Sequence, residues 1–322
     1  MITLKEIAAE LGVSVSTVSR VVTDKDRVDP EKRKLIKAAL KKYNYVPNDS
    51  ARGLRGMSSR SIGIILPTLA SSFYNNIVAT AWDVAYENGY TVVTCAGGER
   101  EKEVARLLKS KQIGKVICVT ALADAGSFYK GLFGENSVVF MDTEAAAPAG
   151  VGNISFDALT SAQKLADYLF SLGHRDVLYL AHTNKHKRLE GFLKAAEDRG
   201  IKVKAESVFS GISSKKGYEI CKEIFGEKNR PTAVLATDNS LAFAAIRAAY
   251  DLGLSIPTDL SVAGFDALDE TGILRPKLTC IMQKTSQMGE AAANMLISGK
   301  CEALTLDFDF IKGHSCQDIS SK

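Results

Sequence analysis

The sequence predicts a small α-helical head followed by an α/β core of two subdomains with parallel sheets. Over residues 1–43 the apolar positions recur at helical spacing. From residue 62 to residue 265, short apolar strands alternate with longer helices, which is typical of parallel α/β structure. That alternation is too long for one open sheet of ordinary size, so we expect two subdomains with a cleft between them.

Charge is distributed unevenly along the 322 residues. Residues 1–60 contain 13 Lys+Arg and 7 Asp+Glu, a balance of +6, whereas the rest of the chain has a balance of −2. The overall 46% hydrophobic and 24% charged content is ordinary for a globular protein. The positive charge therefore lies on the helical head, where binding to DNA phosphates would require it.

The head begins with a helix–turn–helix pattern. Gly12 and Val13 interrupt a first amphipathic helix, and Ser14 is placed to cap a second one. In such a motif the second helix enters the DNA major groove, and its arginine can bind guanine or phosphate. The alternative is three amphipathic helices with a solvated polar face. The inward residues are Leu4, Ile7, Ala8, Leu11, Val18, Val21 and Val22, and the outward ones are Val15, Ser16, Thr17, Ser19 and Arg20.

A third helix and a short connector follow. Asp29 and Pro30 are typical of a helix start, and Asn48 could cap a helix that ends before Gly56. This last helix has fewer than two turns, so it should form only when it packs against a partner. The predicted inner face of the third helix comprises Leu35, Ile36, Ala39, Leu40 and Tyr43.

The core alternates strands and helices. The predicted strands are 62–67, 90–94, 116–119, 138–141, 176–180, 207–209, 233–236 and 260–265. The predicted helices are 74–88, 99–111, 158–172, 188–199, 214–225 and 239–252.

Several classes of protein are disfavoured. Lys5, Glu6 and Glu10 interrupt any signal-peptide-like run, and no apolar stretch approaches the ~18 residues of a membrane span, so we expect a cytoplasmic protein. Six cysteines without a C-x-x-C pair indicate free thiols in a reducing compartment. No nucleophile–base pair or convincing metal-ligand spacing occurs, so neither an enzyme nor a cofactor is expected.

Motifs spaced along the chain resemble the LacI–GalR family of bacterial transcriptional regulators, from Thr3 to about Cys316. The head pattern at 13–21 and the hinge-like segments at 45–48 and 51–55 carry part of this resemblance. The core motifs that carry the rest are Ile62–Pro67, Gly173–Arg175, Arg188–Phe192, Val262–Asp266 and Leu278–Gln283.

The resemblance implies a homodimer on a pseudo-palindromic operator and a periplasmic-binding-protein-like (type I) core with three crossovers. It implies a head over 1–46, a hinge helix and linker over 47–60, and an effector-binding core over 61–322. The first subdomain would comprise about 61–157 and 286–300. The second would comprise about 158–285 and 301–322.

The same resemblance assigns DNA contacts. Leu54 would wedge between central base pairs from the minor groove, although a plain linker residue is the alternative. Ala51 and Arg55 would belong to the hinge helix that holds this wedge. Val15, Ser16 and Arg20 would read bases, and the residues that would hold the DNA backbone are Thr3, Thr17, Ser19, Tyr45 and Asn48.

In the cleft, the resemblance implies that Phe73 stacks on a small effector while Arg188 and Asp266 hydrogen-bond its polar groups. A sugar or nucleoside-like molecule would suit charged groups of both signs. The alternatives are a salt-bridged Arg188 and a helix-capping Asp266. Asp238 matches a cleft position but could equally cap the helix that begins near Asn239.

Two departures and two alternatives remain. Ser71 and Ser72 stand where the family usually has Asn-Pro, which leaves the effector class open. The sequence has no leucine heptad near residue 322, so a tetramer formed through a C-terminal coiled coil is not predicted. The DNA-binding role could also be controlled by a protein co-regulator instead of a small molecule. A solute-binding protein or cleft enzyme carrying a helical module is the third hypothesis.

Overall fold

The computed structural model describes residues 2–22, 28–45, 59–143, 147–182, 186–204, 207–266 and 275–321. The chain divides into two compact units, Met1–Ser59 and Arg60–Lys322. The predicted hinge residues that were expected to contact DNA lie outside the described residues, namely Asn48, Ala51, Leu54 and Arg55.

The head contains the three predicted helices, each of which begins at a capping side chain. Thr3 caps the first, Ser14 Oγ accepts a hydrogen bond from Thr17 N at 3.2 Å in the second, and Asp29 caps the third. Ile7, Val18 and Ile36 are fully buried between them. The helices are α1 (Leu4–Glu10), α2 (Val15–Val22) and α3 (Pro30–Lys42).

Leu35 does not join this core, contrary to the sequence prediction. Its side chain is 60% exposed, whereas its neighbour Ile36 is completely buried. A helix turns about 100° per residue, and the buried stripe is already filled by Ile36, Ala39, Leu40 and Tyr43 at i, i+3, i+4 and i+7. Leu35 therefore falls outside the stripe.

The core consists of twelve strands and eight helices among its described residues. The strands are β1 (Ser61–Leu66), β2 (Thr91–Ala96), β3 (Lys115–Cys118), β4 (Val138–Met141), β5 (Gly152–Phe156), β6 (Val177–Leu180), β7 (Val208–Phe209), β8 (Ala233–Ala236), β9 (Ser261–Phe265), β10 (Thr279–Gln283), β11 (Ala303–Leu306) and β12 (Phe308–Ile311). The helices are α4 (Ser72–Glu87), α5 (Glu101–Ser110), α6 (Ala125–Phe133), α7 (Ala158–Ser171), α8 (His186–Glu197), α9 (Ser214–Phe225), α10 (Asn239–Asp251) and α11 (Thr285–Ser298).

These strands form two six-stranded sheets, which confirms the predicted two-subdomain architecture. The first sheet has the order β11-β5-β4-β3-β1-β2 and is entirely parallel. The second has the order β12-β10-β9-β8-β6-β7, and only β12 runs antiparallel to its neighbour. Helices cover the sheet faces and bury continuous apolar strands such as β4 and β8.

The chain passes between the two sheets three times, at Asp157, Lys284 and Asp307. The third position corrects the predicted boundary of the second subdomain, which had included residue 301 onward. Strand β11 pairs in parallel with β5, with Ala303 opposite Asn153, so it extends the first sheet. The chain therefore returns to the second subdomain only at β12.

Each subdomain contains one close helix pair that depends on a glycine. A Cβ on Gly191 of α8 would lie 2.2 Å from the Leu159 carbonyl oxygen of α7. A Cβ on Gly289 of α11 would lie 2.3 Å from the Ile77 carbonyl oxygen of α4. Only glycine permits backbones to approach this closely. Within the described parts of the chain, no helix is long and apolar enough to cross a bilayer.

Candidate DNA-binding surface and effector cleft

The outward face of α2 presents the residues that were expected to read bases. Val15 is 39% exposed, and Ser16 and Arg20 are exposed as well. Val18 and Val21 point into the head core on the opposite side of the same helix. The division between the two faces therefore agrees with the helical spacing in the sequence.

Three hydroxyl groups order the first turn of α2. Ser14 Oγ lies 2.8 Å from Ser16 Oγ and 2.8 Å from Thr17 Oγ1. Because Ser14 also caps the helix, these bonds fix the end of α2 that carries Val15 and Ser16. Backbone N–H groups at such an end carry partial positive charge, which favours a nearby phosphate.

Two expected backbone contacts also have structural roles within the head. Thr3 forms a capping box with Glu6: Thr3 N donates to Glu6 Oε2 at 2.7 Å, and Glu6 N donates to Thr3 Oγ1 at 3.3 Å. The hydrogen bonds that Thr3 N and Thr3 Oγ1 donate to the Glu6 carboxyl lower its pKa. Tyr45 is half-buried and packs against the head core. Both residues therefore help to hold the head together whether or not DNA is bound.

In the core, a cavity between the two subdomains opens to solvent. Side chains from both subdomains line it. Those of the first subdomain are Asp142, Thr143, Ser155 and Phe156, and those of the second are Ala158, Lys187 and Arg188.

Four polar residues mark the carboxyl ends of neighbouring strands in the second sheet. His182 follows β6, Asp238 follows β8, Asp266 follows β9, and Gln283 ends β10. Since parallel strands end at the same edge, these side chains form a row, which we call the carboxyl-edge row. Open α/β sheets bind ligands in the crevice outside such ends.

Arg188 is held beside this row by aromatic and backbone contacts. Its Nη1 donates to the carbonyl oxygen of Thr237, and its guanidinium lies 4.5 Å from the ring centroid of Phe265 and 5.2 Å from that of Phe156. Among the described residues it forms no ion pair within 4 Å, so the salt-bridged alternative is not what orients it here. Cation–π contact on two rings fixes the guanidinium plane.

Asp266 is a buried carboxylate with a full set of local partners. It is 5% exposed and has a left-handed φ of 51°, a conformation that Asp tolerates better than most residues. Gln283 donates to it twice, from its backbone N at 2.9 Å and from Nε2 at 2.6 Å. Burial raises the pKa of Asp266 to about 6, while the charge of Arg188 opposes this shift.

Asp238 caps α10, which is one of the two roles that the sequence left open. Its Oδ1 caps α10 by accepting from Ser240 N at 2.8 Å, Ser240 Oγ at 2.7 Å and Leu241 N at 3.1 Å. His182 Nε2 lies 3.5 Å from the same oxygen. The other oxygen, Oδ2, is buried and has no hydrogen-bond partner in the described ranges of the chain.

Tyr74, rather than Phe73, is the aromatic residue among the charges of the cleft. Phe73 is 7% exposed and belongs to the core of the first subdomain, which does not suit the expected stacking on an effector. Burial raises the pKa of Tyr74, and the nearby charges of Asp142, Arg188 and Asp238 also act on its hydroxyl. Sequence reasoning missed Tyr74, although it adjoins the residue that was chosen.

Sequence reasoning also missed His182 and Gln283. The position of both, directly after or at the end of a buried strand, is the signal that would have indicated them. Across the cleft, Asn239 Nδ2 donates to Ser72 Oγ at 3.2 Å, so one of the two serines that replace the usual Asn-Pro joins the subdomains. The described residues contain no cluster of His, Cys, Asp and Glu that could hold a metal ion.

Comparison with known proteins accounts for both regions. Residues 3–48 match the model for bacterial regulatory proteins of the lacI family, and residues 166–302 match a periplasmic binding protein-like domain. The HTH-type transcriptional regulator RegA of Clostridium saccharobutylicum is 32% identical over 305 residues, which cover 91% of each chain. This chain belongs to the LacI family.

Two further relatives agree with the LacI assignment. The HTH-type transcriptional repressor PurR of Serratia proteamaculans is 30% identical over 92% of this chain and 90% of its own. The crystal structure of the lac repressor dimer bound to operator and the anti-inducer ONPF superposes with a TM-score of 0.85 at 26% identity, covering 98% of this chain and 99% of that one. The chain is therefore a DNA-binding transcriptional regulator and not an enzyme.

Proposed function

We propose that this LacI-family regulator is a repressor that reads a pseudo-palindromic operator as a homodimer, with α2 of each head in a major groove. The exposed face of α2 carries this proposal, because Val15, Ser16 and Arg20 project from a helix whose other side is buried. A small apolar side chain suits a thymine methyl group, and arginine suits guanine or phosphate. The relative PurR is named a repressor, which supports repression here.

The residues between the head and the core would form the hinge. We assign 1–46 to the head and 47–60 to the connector, and Leu54 to the wedge that kinks the operator from the minor groove. Unstacking the central base step costs free energy, which the bent duplex offsets by contacting more protein surface. The hinge helix would form only on DNA, since so short a helix is unstable alone.

The cleft would bind a small polar effector of the sugar or nucleoside type. Asp238 and Asp266 belong to the carboxyl-edge row, where α/β folds bind ligands, and supply two carboxyl groups. Arg188 lies beside that row and supplies a fixed cation. Effector binding would shift the population of subdomain arrangements and so favour or disfavour the ordered hinge. Since the DNA that it controls lies in the bacterial cytoplasm, that is the proposed compartment.

Selection of duplexes from a randomised pool by the full-length chain tests the proposal. We expect a two-fold related consensus and an affinity that falls steeply with salt, in proportion to the number of phosphates neutralised. Leu54→Ala should weaken binding to the selected duplex by about tenfold, the low end of what loss of a few kcal/mol of wedge contacts implies, and leave non-specific binding unchanged. Failure to enrich any sequence would refute the operator role.

Calorimetry then separates a small effector from a protein co-regulator. Heat on titration with a sugar or nucleoside, together with altered affinity for the selected duplex, supports the cleft assignment. A duplex affinity that responds only to a second protein would indicate the co-regulator instead.

A further inference from the structure

The first turns of α4 and α10 meet across the cleft. Ser72 is the first residue of α4 in the first subdomain, and Asn239 is the first residue of α10 in the second. Asn239 Nδ2 donates to Ser72 Oγ at 3.2 Å, and both side chains are half-buried. This bond therefore joins the subdomains at a point outside the three passages of the chain, and separation of the two helix ends would break it.

The hydroxyl of Ser72 does not cap its own helix. Ser71 is the N-cap residue of α4, and its side chain forms no capping hydrogen bond. The helix thus begins without a side-chain cap, and Ser72 directs its hydroxyl to the other subdomain. The family usually has Asn-Pro at these two positions, and a proline at position 72 could not accept this bond because it has no side-chain hydroxyl.

Asn239 is held in place by the turn to which it belongs. Asp238 Oδ1 accepts from Ser240 N at 2.8 Å and from Leu241 N at 3.1 Å, which fixes the backbone at the start of α10. His182 Nε2 lies 2.7 Å from Ser240 Oγ and connects this turn to the residue that follows β6. The donor is therefore presented from an ordered turn, so little conformational entropy is lost when the bond forms.

Tyr74 indicates that the start of α4 lies against the second subdomain. Its side chain is half-buried, and burial raises the pKa of its hydroxyl. The charge of Asp142 in the first subdomain and those of Asp238 and Asp266 in the second raise this pKa further. The phenol therefore lies close to groups of both subdomains, and their separation would expose it to solvent.

We propose that Ser72 and Asn239 form a latch that holds the two subdomains together in the ligand-free core and limits how often the cleft opens. The role of the latch in admitting a small molecule rests on the proposed effector function of the cleft. One hydrogen bond between protein groups gives a modest net stabilisation, so the latch biases the equilibrium between closed and open cores without fixing it. A ligand that prefers one arrangement can therefore still shift the equilibrium.

Hydroxyl-radical footprinting of the full-length chain, read by mass spectrometry, tests the latch without ligand or DNA. Tyr74 is the reporter, and Tyr86, which lies on the same helix and is 67% exposed, is the internal reference. We expect Ser72→Ala and Asn239→Ala each to raise the ratio of the two oxidation rates by about two- to fivefold. The upper figure is the population change that follows the loss of one net hydrogen bond.

Three controls separate the latch from local effects. Ser71→Ala removes the neighbouring hydroxyl and should leave the oxidation of Tyr74 unchanged, because that hydroxyl forms no capping bond. Ser72→Thr keeps a hydroxyl at position 72 and should behave like the unsubstituted chain. Tyr129, which is fully buried in the first subdomain, should remain protected in every variant, and this excludes unfolding as the cause.

The double variant tests whether the two side chains act on each other. Ser72→Ala combined with Asn239→Ala should give no more oxidation of Tyr74 than either substitution alone, since both delete the same bond. An increase equal to the product of the two single effects would show that the side chains act separately and would overturn the proposal. Ratios equal to that of the unsubstituted chain in both single variants would overturn it as well.

The tests of the latch and of the regulator function are independent. Footprinting requires neither DNA nor effector, so unchanged oxidation would reject the latch even if the chain selected a duplex. Failure of the unsubstituted chain to select any duplex would count against the regulator function and leave the footprinting result as it stands.

Discussion

The head and the core recognise their ligands in opposite ways. On α2 the candidate contacts are short side chains exposed to solvent, and hydroxyl groups one turn apart hold them in place. In the core the candidate contact Asp266 is a buried carboxyl that follows β9, and its partner Gln283 lies 17 residues away in the sequence. Exposed groups act in high dielectric and respond to salt, whereas buried groups respond to the loss of a single partner.

The largest effect in this comparison is expected for Arg188→Ala. Removing the guanidinium would delete charge-assisted hydrogen bonds to the effector and the positive charge that opposes the raised pKa of Asp266, so effector affinity should fall by about 100-fold or more. Binding to the selected duplex should persist without effector. Arg199→Ala, which removes an exposed arginine paired with Asp167 at 2.8 Å, is the matched control. Equal effector affinities for the two variants would place the ligand elsewhere.

Asp266→Asn should change how the stability of the core depends on pH. Because the folded pKa is about 6 and the ordinary value is 3.8, the folded state holds the proton more tightly. The contribution of Asp266 to stability is therefore greatest below pH 4 and falls by about 2–3 kcal/mol as the pH rises to 6 and above. Chemical denaturation at pH 4 and pH 7 should show this fall in the unsubstituted chain and not in the variant. Parallel profiles would mean that Asp266 does not titrate in this range.

For the head, Arg20→Ala should weaken binding to the selected duplex by about tenfold, the effect of losing one good base contact. It should also relax the preference at one operator position. Lys34→Ala on the exposed side of α3 provides the comparison. We expect Lys34 to act on DNA through its charge alone, so its loss should weaken all duplexes equally and lower the salt slope by about 1. Competition assays over a salt series distinguish the two. A uniform loss for both variants would make Arg20 a phosphate contact.

The smallest effect is expected for Thr3→Ala. Loss of the capping hydroxyl should reduce the unfolding free energy of the head by about 1 kcal/mol, the usual contribution of an N-cap. Thr3→Ser keeps the hydroxyl and should restore most of it. Differential scanning calorimetry of the full-length chain follows the head transition. If both variants bound DNA poorly with unchanged melting, Thr3 would act on the duplex and not on the helix.

The same contrast explains what the sequence could predict. The helices of the head could be predicted because local sequence features determine them. These features are the caps at Ser14 and Asp29 and the apolar residues at helical spacing. The prediction was wrong at Leu35 because Leu35 and Ile36 are adjacent apolar residues and only one of them can lie in the buried stripe of α3. Tertiary packing, which the sequence does not show, decides which one is buried. The alternation of strands and helices likewise gave the α/β class and the existence of two sheets.

The structure of the core was harder to predict where it depends on the pairing of strands that are distant in the sequence. The elements α6, α11, β5, β10 and β11 were not predicted. The segment that forms β11 was assigned to the second subdomain, because a four-residue strand carries no mark of its neighbour. In the cleft, Asp266 and Arg188 came from the family resemblance. The partner that fixes Asp266, namely Gln283, lies 17 residues away and became apparent only in the fold.

The three passages at Asp157, Lys284 and Asp307 have a consequence for how such a protein can evolve and be engineered. Neither half of the core is a continuous stretch of gene, so no single cut can release one half as a module. Exchange between relatives must therefore replace the whole core or single surface positions. New ligand preferences should arise by point changes at the strand ends, while the head can be swapped as one cassette.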